Sequence, residues 1–185
     1  TAIDTVLADD PSMNVRLTAK QLNLEPATGS TIGSNKKTDV RQPKRIVLDS
    51  QFRMPSVSKI AALDGECIVY TTVNVDEKNN YPFIIETIGS QNGKIDLHVL
   101  MKDLAEKEIN LLHVEAGSVL CGALLKNDLV DEIIIYMAPH IMGDEARGLF
   151  SLPGLSKMQD RISLDIQDVR MLGKDLRITA KPVYL

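Results

Sequence analysis

The chain has 185 residues, 44% of them hydrophobic and 25% charged, with 21 Lys plus Arg against 25 Asp plus Glu for a formal net charge of −4. A chain of this size removes roughly 70% of its unfolded surface from water on folding, so one sizeable core forms without disulfide or metal staples, and a disordered or fibrous chain is excluded. Net negative charge with 4% aromatics and no Trp disfavours nucleic-acid binding, which uses a basic stripe and stacking rings.

Residues 1 to 16 carry an apolar stretch into Asp9-Asp10-Pro11, and the residue before a proline is pushed out of the helical region, so the segment reads as a loop. Gln21 to Gln42, rich in Gly, Ser, Thr, Asn and Lys with two prolines, reads as a surface loop. Lys44 to Ser50 and Glu66 to Val75 have the β-branched centres of buried strands, with a third strand over Tyr81 to Ile88. From Asp96 to Lys107, Leu97, Leu100, Met101 and Leu104 recur at helical spacing behind Asp96 as N-cap.

Asn110 to Glu115, Gly117 to Lys126 and Asp131 to Pro139 read as strand, helix and strand, a βαβ unit with a parallel pair and a right-handed crossover. Arg161 to Leu172 alternates Ile162, Leu164 and Ile166 with polar residues, Gly173-Lys174-Asp175 turns, and Leu176 to Ala180 returns as an antiparallel hairpin. The expectation is one α/β domain: a mixed, mostly parallel sheet flanked by helices, with a C-terminal antiparallel hairpin. No run approaches the roughly eighteen apolar residues of a membrane span, and no basic leader precedes an apolar stretch. Cys67 and Cys121 form no CxxC pair, so the expected setting is a reducing cytoplasm without a membrane partner.

The strongest local signal is Glu115-Ala-Gly-Ser-Val-Leu-Cys-Gly122, joining a strand end to a helix start. Gly117 lets a ligand approach the backbone, and free N–H groups with the helix dipole favour an anion such as pyrophosphate; such turns also carry Gly for geometry alone. Glu115, at the carboxyl end of a predicted parallel strand, is placed either to orient a polar substrate group or as a solvated strand-end acid. Asp9-Asp10 with Arg16 reads as a capped turn more readily than as a metal pair. Gly29 to Lys36 has the wrong spacing for a phosphate loop. His98, His113 and His140 lack ligand spacing, so no metal site is expected, and Met13 reads as a core residue.

Several segments together resemble a known family. Thr5-Val-Leu-Ala-Asp-Asp-Pro11 with Arg16, Gln42-Pro-Lys-Arg-Ile-Val-Leu-Asp-Ser50 with Arg53, Val114-Glu-Ala-Gly117, Gly122-Ala-Leu-Leu125, Leu129-Val-Asp-Glu132 and Ala146-Arg-Gly-Leu149 occur in the order seen in the reductase domain of the bacterial bifunctional riboflavin-biosynthesis deaminase/reductase. The resemblance covers essentially the whole chain. It implies a dihydrofolate-reductase-like fold and NADPH-dependent reduction of the ribosyl group of 5-amino-6-(5-phosphoribosylamino)uracil to a ribityl chain.

Carried over by position, the resemblance makes Thr5, Asp9 and Ser50 cofactor contacts and Met13, Arg16 and Glu115 substrate contacts. It makes Gly117, Ser118, Val119, Leu120, Cys121, Gly122 and Ala123 the turn and helix start that hold the cofactor phosphates. Arg16 suits the substrate phosphate because a guanidinium fork matches phosphate oxygens. His140 stands where the family usually has Lys, and Ser118-Val119 replaces Pro-Thr. The deaminase's zinc signature and an upstream Lys-x-x-x-Ser-Leu-Asp-Gly strand are not found. Residues 1 to 185 are therefore expected to form a reductase domain without its first strand, an upstream deaminase domain belonging to the full-length protein. Homo-oligomerisation is also implied. Alternatives are a non-catalytic assembly module retaining a nucleotide cleft, or a reductase of another pteridine or pyrimidine substrate on the same fold.

Overall fold

A computed structural model of the chain describes residues 1–18, 20–22, 40–76, 80–143 and 145–184. Most of the loop expected over 21 to 42, with its Gly29 to Lys36 segment, lies outside these residues. The chain divides into two compact units, Thr1–Asn110 and Leu111–Leu185.

The first unit is built on strands β1 (Arg45–Leu48), β2 (Cys67–Thr71) and β3 (Ile84–Thr87), parallel and in the order β1-β2-β3. A parallel sheet needs cover on both faces, and alternation along the strands supplies two apolar sides. Val47, Cys67, Val69 and Ile85 face one cluster with Ile3 and Val6 of helix α1 (Ile3–Asp9) and Ile60 and Ala61 of α2 (Lys59–Ala62). Ile68 and Tyr70 face the other, with Leu100 and Leu104 of α3 (Leu97–Glu106). The first cluster is extended by Phe52, Tyr81 and Phe83, whose rings lie 5.1 to 6.3 Å apart.

The loop expected over residues 1 to 16 is instead helical from Ile3 to Asp9. Ile3 and Val6, one turn apart, are buried, and this tertiary packing stabilises a helix too short to form alone. Proline acts only at the end, where Asp10 takes φ 42° ahead of Pro11. α3 follows its prediction, with Asp96 accepting from the N–H groups of His98 (2.9 Å) and Val99 (3.1 Å). Between β3 and α3, β4 (Ser90–Gln91) and β5 (Lys94–Ile95) pair around Asn92 and Gly93, both at positive φ, the chemistry of a tight hairpin.

The second unit holds α4 (Ser118–Lys126) and an antiparallel sheet of β6 (Ile133–Met137), β7 (Ser163–Leu172) and β8 (Asp175–Val183) in the order β6-β8-β7. The expected hairpin is β7–β8, with a bulge between Ile166 and Asp168. The expected parallel βαβ pair does not form. β6 runs antiparallel to β8, and residues 111–117 form no strand. An apolar run becomes a strand only where a neighbour completes its ladder, and Leu111 is 88% exposed.

One polar cluster joins α3 to its sheet. The buried Tyr70 hydroxyl donates to Asp103, whose carboxylate also accepts from Lys107 (2.9 Å), and Lys107 lies 3.4 Å from Glu86. Partial burial pushes Asp103 upward, but the Tyr70 and Lys107 hydrogen bonds together outweigh it and hold its pKa below the ordinary carboxylate value. Its stabilising contribution is therefore present above its unfolded pKa of about 3.9 and is lost as pH falls through the lowered folded value. Tyr70→Phe is expected to lower the unfolding free energy by about 1–2 kcal/mol at pH 7, shrinking at strongly acid pH, as measured by urea denaturation across pH.

Candidate functional site

In an open α/β sheet, ligands approach the carboxyl ends of parallel strands. In the first unit this edge carries the chain from β1 into Asp49 and Ser50. Asp49 is fully buried, and its Oδ2 accepts the Met54 N–H at 2.8 Å, closing the turn that follows the strand. Burial pushes this carboxyl above the usual range, against the pull of the Met54 and Arg53 N–H groups and the Arg53 guanidinium, whose Nε lies 4.0 Å from Oδ1. Ser50 is held from the neighbouring strand ends. Its carbonyl accepts the hydroxyls of Thr72 (2.8 Å) and Thr71 (3.4 Å), and its Oγ accepts the Ile95 N–H (3.2 Å). With the Oγ lone pair engaged in this way, the hydroxyl proton is left for an incoming acceptor.

α1 leaves from the same edge, since Ala2 bridges in parallel to Leu48 and the Leu48 N–H donates to the Thr1 carbonyl at 2.9 Å. Thr5 on α1 is half-buried and Asp9, its last residue, is exposed. Asp10 and Met13 follow at φ 42° and 45°, and Met13 packs against the first core cluster. Two non-glycine residues in the left-handed region within four positions mark a strained turn, the kind that persists where surrounding structure holds it for use. Arg16 is exposed, with no bond to another described residue. Ser50 thus follows β1 at this edge, and α1, which carries Thr5 and Asp9, starts from it.

The remaining predicted residues lie in the second unit. Glu115 is exposed, its Oε1 3.2 Å from His113 Nε2. Gly117 is the N-cap of α4 and offers no side-chain cap, so the N–H groups of Ser118, Val119 and Leu120 have no acceptor among the described residues. A Cβ on Gly117 would meet nothing within 4 Å, so the approach to these donors is open. Cys121 donates its thiol to the Ala116 carbonyl, 3.4 Å away. Gly122 has a packing reason of its own: a Cβ there would fall 2.0 Å from the Ser151 carbonyl oxygen, and the Ser151 N–H donates to the Ser118 carbonyl (2.9 Å). Leu120 and Ala123 are half-buried and Val119 is 61% exposed.

Neither cysteine is poised as a nucleophile, because burial pushes Cys67 up to about 11 and Cys121 upward as well. The residues that sequence reasoning overlooks are Asp49 and Asp10. Asp49 falls in the predicted strand Lys44 to Ser50 with no role of its own and Asp10 reads as part of a capped turn, and only their partners in space, the Met54 and Lys59 N–H groups, reveal them as anchors. The two glycines of α4 make separate demands. Gly122→Ala is expected to destabilise the protein by about 2–3 kcal/mol through backbone overlap, whereas Gly117→Ala is expected to change stability by less than about 1 kcal/mol, both read by urea denaturation.

The chain matches the family model of the RibD C-terminal domain over residues 1–178. It is 39% identical over 178 residues to the riboflavin biosynthesis protein RibD of Escherichia coli (strain K12), covering 95% of this chain and 46% of that protein. It is 34% identical over 184 residues to the 5-amino-6-(5-phosphoribosylamino)uracil reductase of Buchnera aphidicola subsp. Acyrthosiphon pisum, covering 96% of this chain and 83% of that one. Among solved structures it is similar to Acinetobacter baumannii RibD, with a TM-score of 0.78 and 30% identity over 98% of this chain and 46% of that chain. The chain therefore spans about half the length of the two RibD proteins, and it shares their mixed, dihydrofolate-reductase-like α/β fold. With the family model matched almost end to end and the strand-end turns and α4 in place, this chain belongs to the RibD C-terminal domain family.

Proposed function

We propose that the chain is an NADPH-dependent reductase of riboflavin biosynthesis, converting the ribosyl group of 5-amino-6-(5-phosphoribosylamino)uracil to a ribityl chain. The observation that carries this reading is the N-terminus of α4, whose first N–H groups have no acceptor among the described residues and where a Cβ on Gly117 would meet nothing within 4 Å, which suits an anionic group. The substrate follows from the similarity to a reductase of that name across most of its length.

Each unit, taken by itself, offers groups suited to such a cofactor. Ser118, Val119 and Leu120 offer N–H donors to phosphate oxygens, with Cys121, Gly122 and Ala123 completing the first turns of the helix behind them. In the first unit Ser50 offers a hydroxyl proton, and α1, which starts from the strand-end edge, carries Thr5 and Asp9. NADPH, when bound, supplies the hydride that reduces the opened sugar. Arg16, exposed and without an acid partner among the described residues, is suited to clamp the substrate phosphate. Met13, fixed by its core packing, and Glu115 complete the substrate contacts.

A deaminase domain on the same polypeptide fits a chain that spans about half of the RibD proteins it matches. Two unpaired cysteines fit a reducing, cytoplasmic setting. Among the described residues, no helix is long and apolar enough to cross a membrane. Homo-oligomerisation is supported by one face of the second unit's sheet. Ile166, Val169 and Met171 stand opposite Ala180, Ile178 and Leu176, and the bulge after Ile166 keeps all three on the apolar side, where they are 53 to 61% exposed.

Loss of NADPH absorbance that requires the phosphoribosylaminouracil, and falls at least about tenfold in kcat/KM with Arg16→Ala, is the expected result; no substrate-dependent oxidation by the wild-type protein would overturn the reading. The pair Val169→Lys with Met171→Lys is expected to shift the protein to monomer in sedimentation velocity. An unchanged sedimentation coefficient would remove that face from the interface.

A further inference from the structure

α1 is closed by a C-cap residue, Asp10, whose carboxylate is engaged elsewhere. Asp10 Oδ1 accepts the backbone N–H of Lys59 at 2.8 Å, and Oδ2 lies 3.4 Å from Lys59 Nζ. Lys59 is the first residue of α2, and its N-cap residue, Ser58, makes no side-chain cap. The Ser58 hydroxyl is buried without a partner among the described residues. A free N–H at a helix start needs an acceptor, and here the acceptor arrives from another helix. Both elements are otherwise fixed in the core, α1 by Ile3 and Val6 and α2 by Ile60 and Ala61. The Asp10 N–H donates to the Val6 carbonyl (3.0 Å) and Met13 packs on the core, so the run between them is held at both ends, and the Asp10–Lys59 bond ties the first of these ends to α2.

We propose that Asp10 is a positioning residue, which caps α2 at the surface and thereby orients the adjacent Asp9 for the cofactor. This rests on the reading of Asp9 as a cofactor contact. The backbone bond carries the effect, because the Asp10–Lys59 ion pair is 46% and 62% exposed and so is screened by solvent.

Donor and acceptor can be removed separately. Asp10→Gly keeps the left-handed backbone without strain and deletes the acceptor, whereas Asp10→Asn keeps an acceptor and removes only the charge. Lys59→Pro deletes the donor at a helix position that tolerates proline, and Lys59→Ala leaves the N–H in place. NADPH dissociation constants by cofactor fluorescence, KM and kcat, and thermal midpoints are measured for all four and for Asp9→Ala.

Asp10→Gly and Lys59→Pro are each expected to raise Kd and KM for NADPH about five- to tenfold with little change in kcat, while Asp10→Asn and Lys59→Ala stay within about twofold. Lys59→Pro behaving like Lys59→Ala, or Asp10→Asn losing as much affinity as Asp10→Gly, would overturn the proposal even where Asp9→Ala weakens binding. Wild-type binding that Asp9→Ala leaves unchanged would remove the cofactor reading of Asp9, and the positioning role with it. Should Asp10→Gly fail to fold, the comparison of the two Lys59 variants still decides.

Discussion

The parallel ladder of β1, β2 and β3 is the constraint on which the first unit depends. Parallel strands cannot be joined by hairpins, so each connection must leave the carboxyl edge and return along a face. Four positions of in-register pairing from Arg45↔Cys67 to Leu48↔Tyr70 place the exits of β1 and β2 side by side. Asp49, Ser50, Thr71 and Thr72 therefore meet at one edge, where their hydrogen bonds replace the ladder that has ended. Helices then cover both faces because an uncovered parallel sheet would leave Val47, Ile68 and Val69 against water.

Acidic side chains do much of the local fixing, each in a different electrostatic setting. Asp49 is buried and held near a charge only by backbone donors and a distant guanidinium, so its ionised form is disfavoured. Asp103, half-exposed between a phenol and an ammonium, is favoured as the anion. Asp96 and Asp10 serve as caps, one for its own helix and one for a helix remote in sequence. None of the four needs a metal or a catalytic role to account for its place: Asp49, Asp96 and Asp10 satisfy N–H groups where regular structure stops, and Asp103 satisfies a phenol and an ammonium between α3 and its sheet.

The second unit solves the burial problem differently. Its sheet is wholly antiparallel, so one side can be apolar and the other polar, and the bulge between Ile166 and Asp168 preserves that division along a long hairpin. α4 is unlike an ordinary surface helix in its first half. It starts on a glycine that caps nothing, and one turn later its second glycine lets the Ser151 backbone pack directly against it. The first glycine leaves donors open while the second fixes the helix that carries them. That separates two roles which a motif of closely spaced glycines merges.

Period and capping chemistry were legible from the residues alone. The strands at Lys44 to Ser50 and Glu66 to Val75, α3 behind Asp96, α4 after Gly117 and the C-terminal hairpin all follow from local alternation, helical spacing and turn residues. The order of family segments likewise pointed to the family that the chain belongs to. Tertiary structure decided what no local pattern carries. Ile3 and Val6 became helical only by packing on the sheet, Asn110 to Glu115 stayed out of any ladder because a strand exists only with a neighbour, and β6 took an antiparallel partner, β8, more than forty positions away in register (Ile133↔Ala180). The positions of Asp10 and Asp49 belong to the same class. A side chain's type shows that it can accept a hydrogen bond, but which N–H it accepts depends on where the chain returns in space.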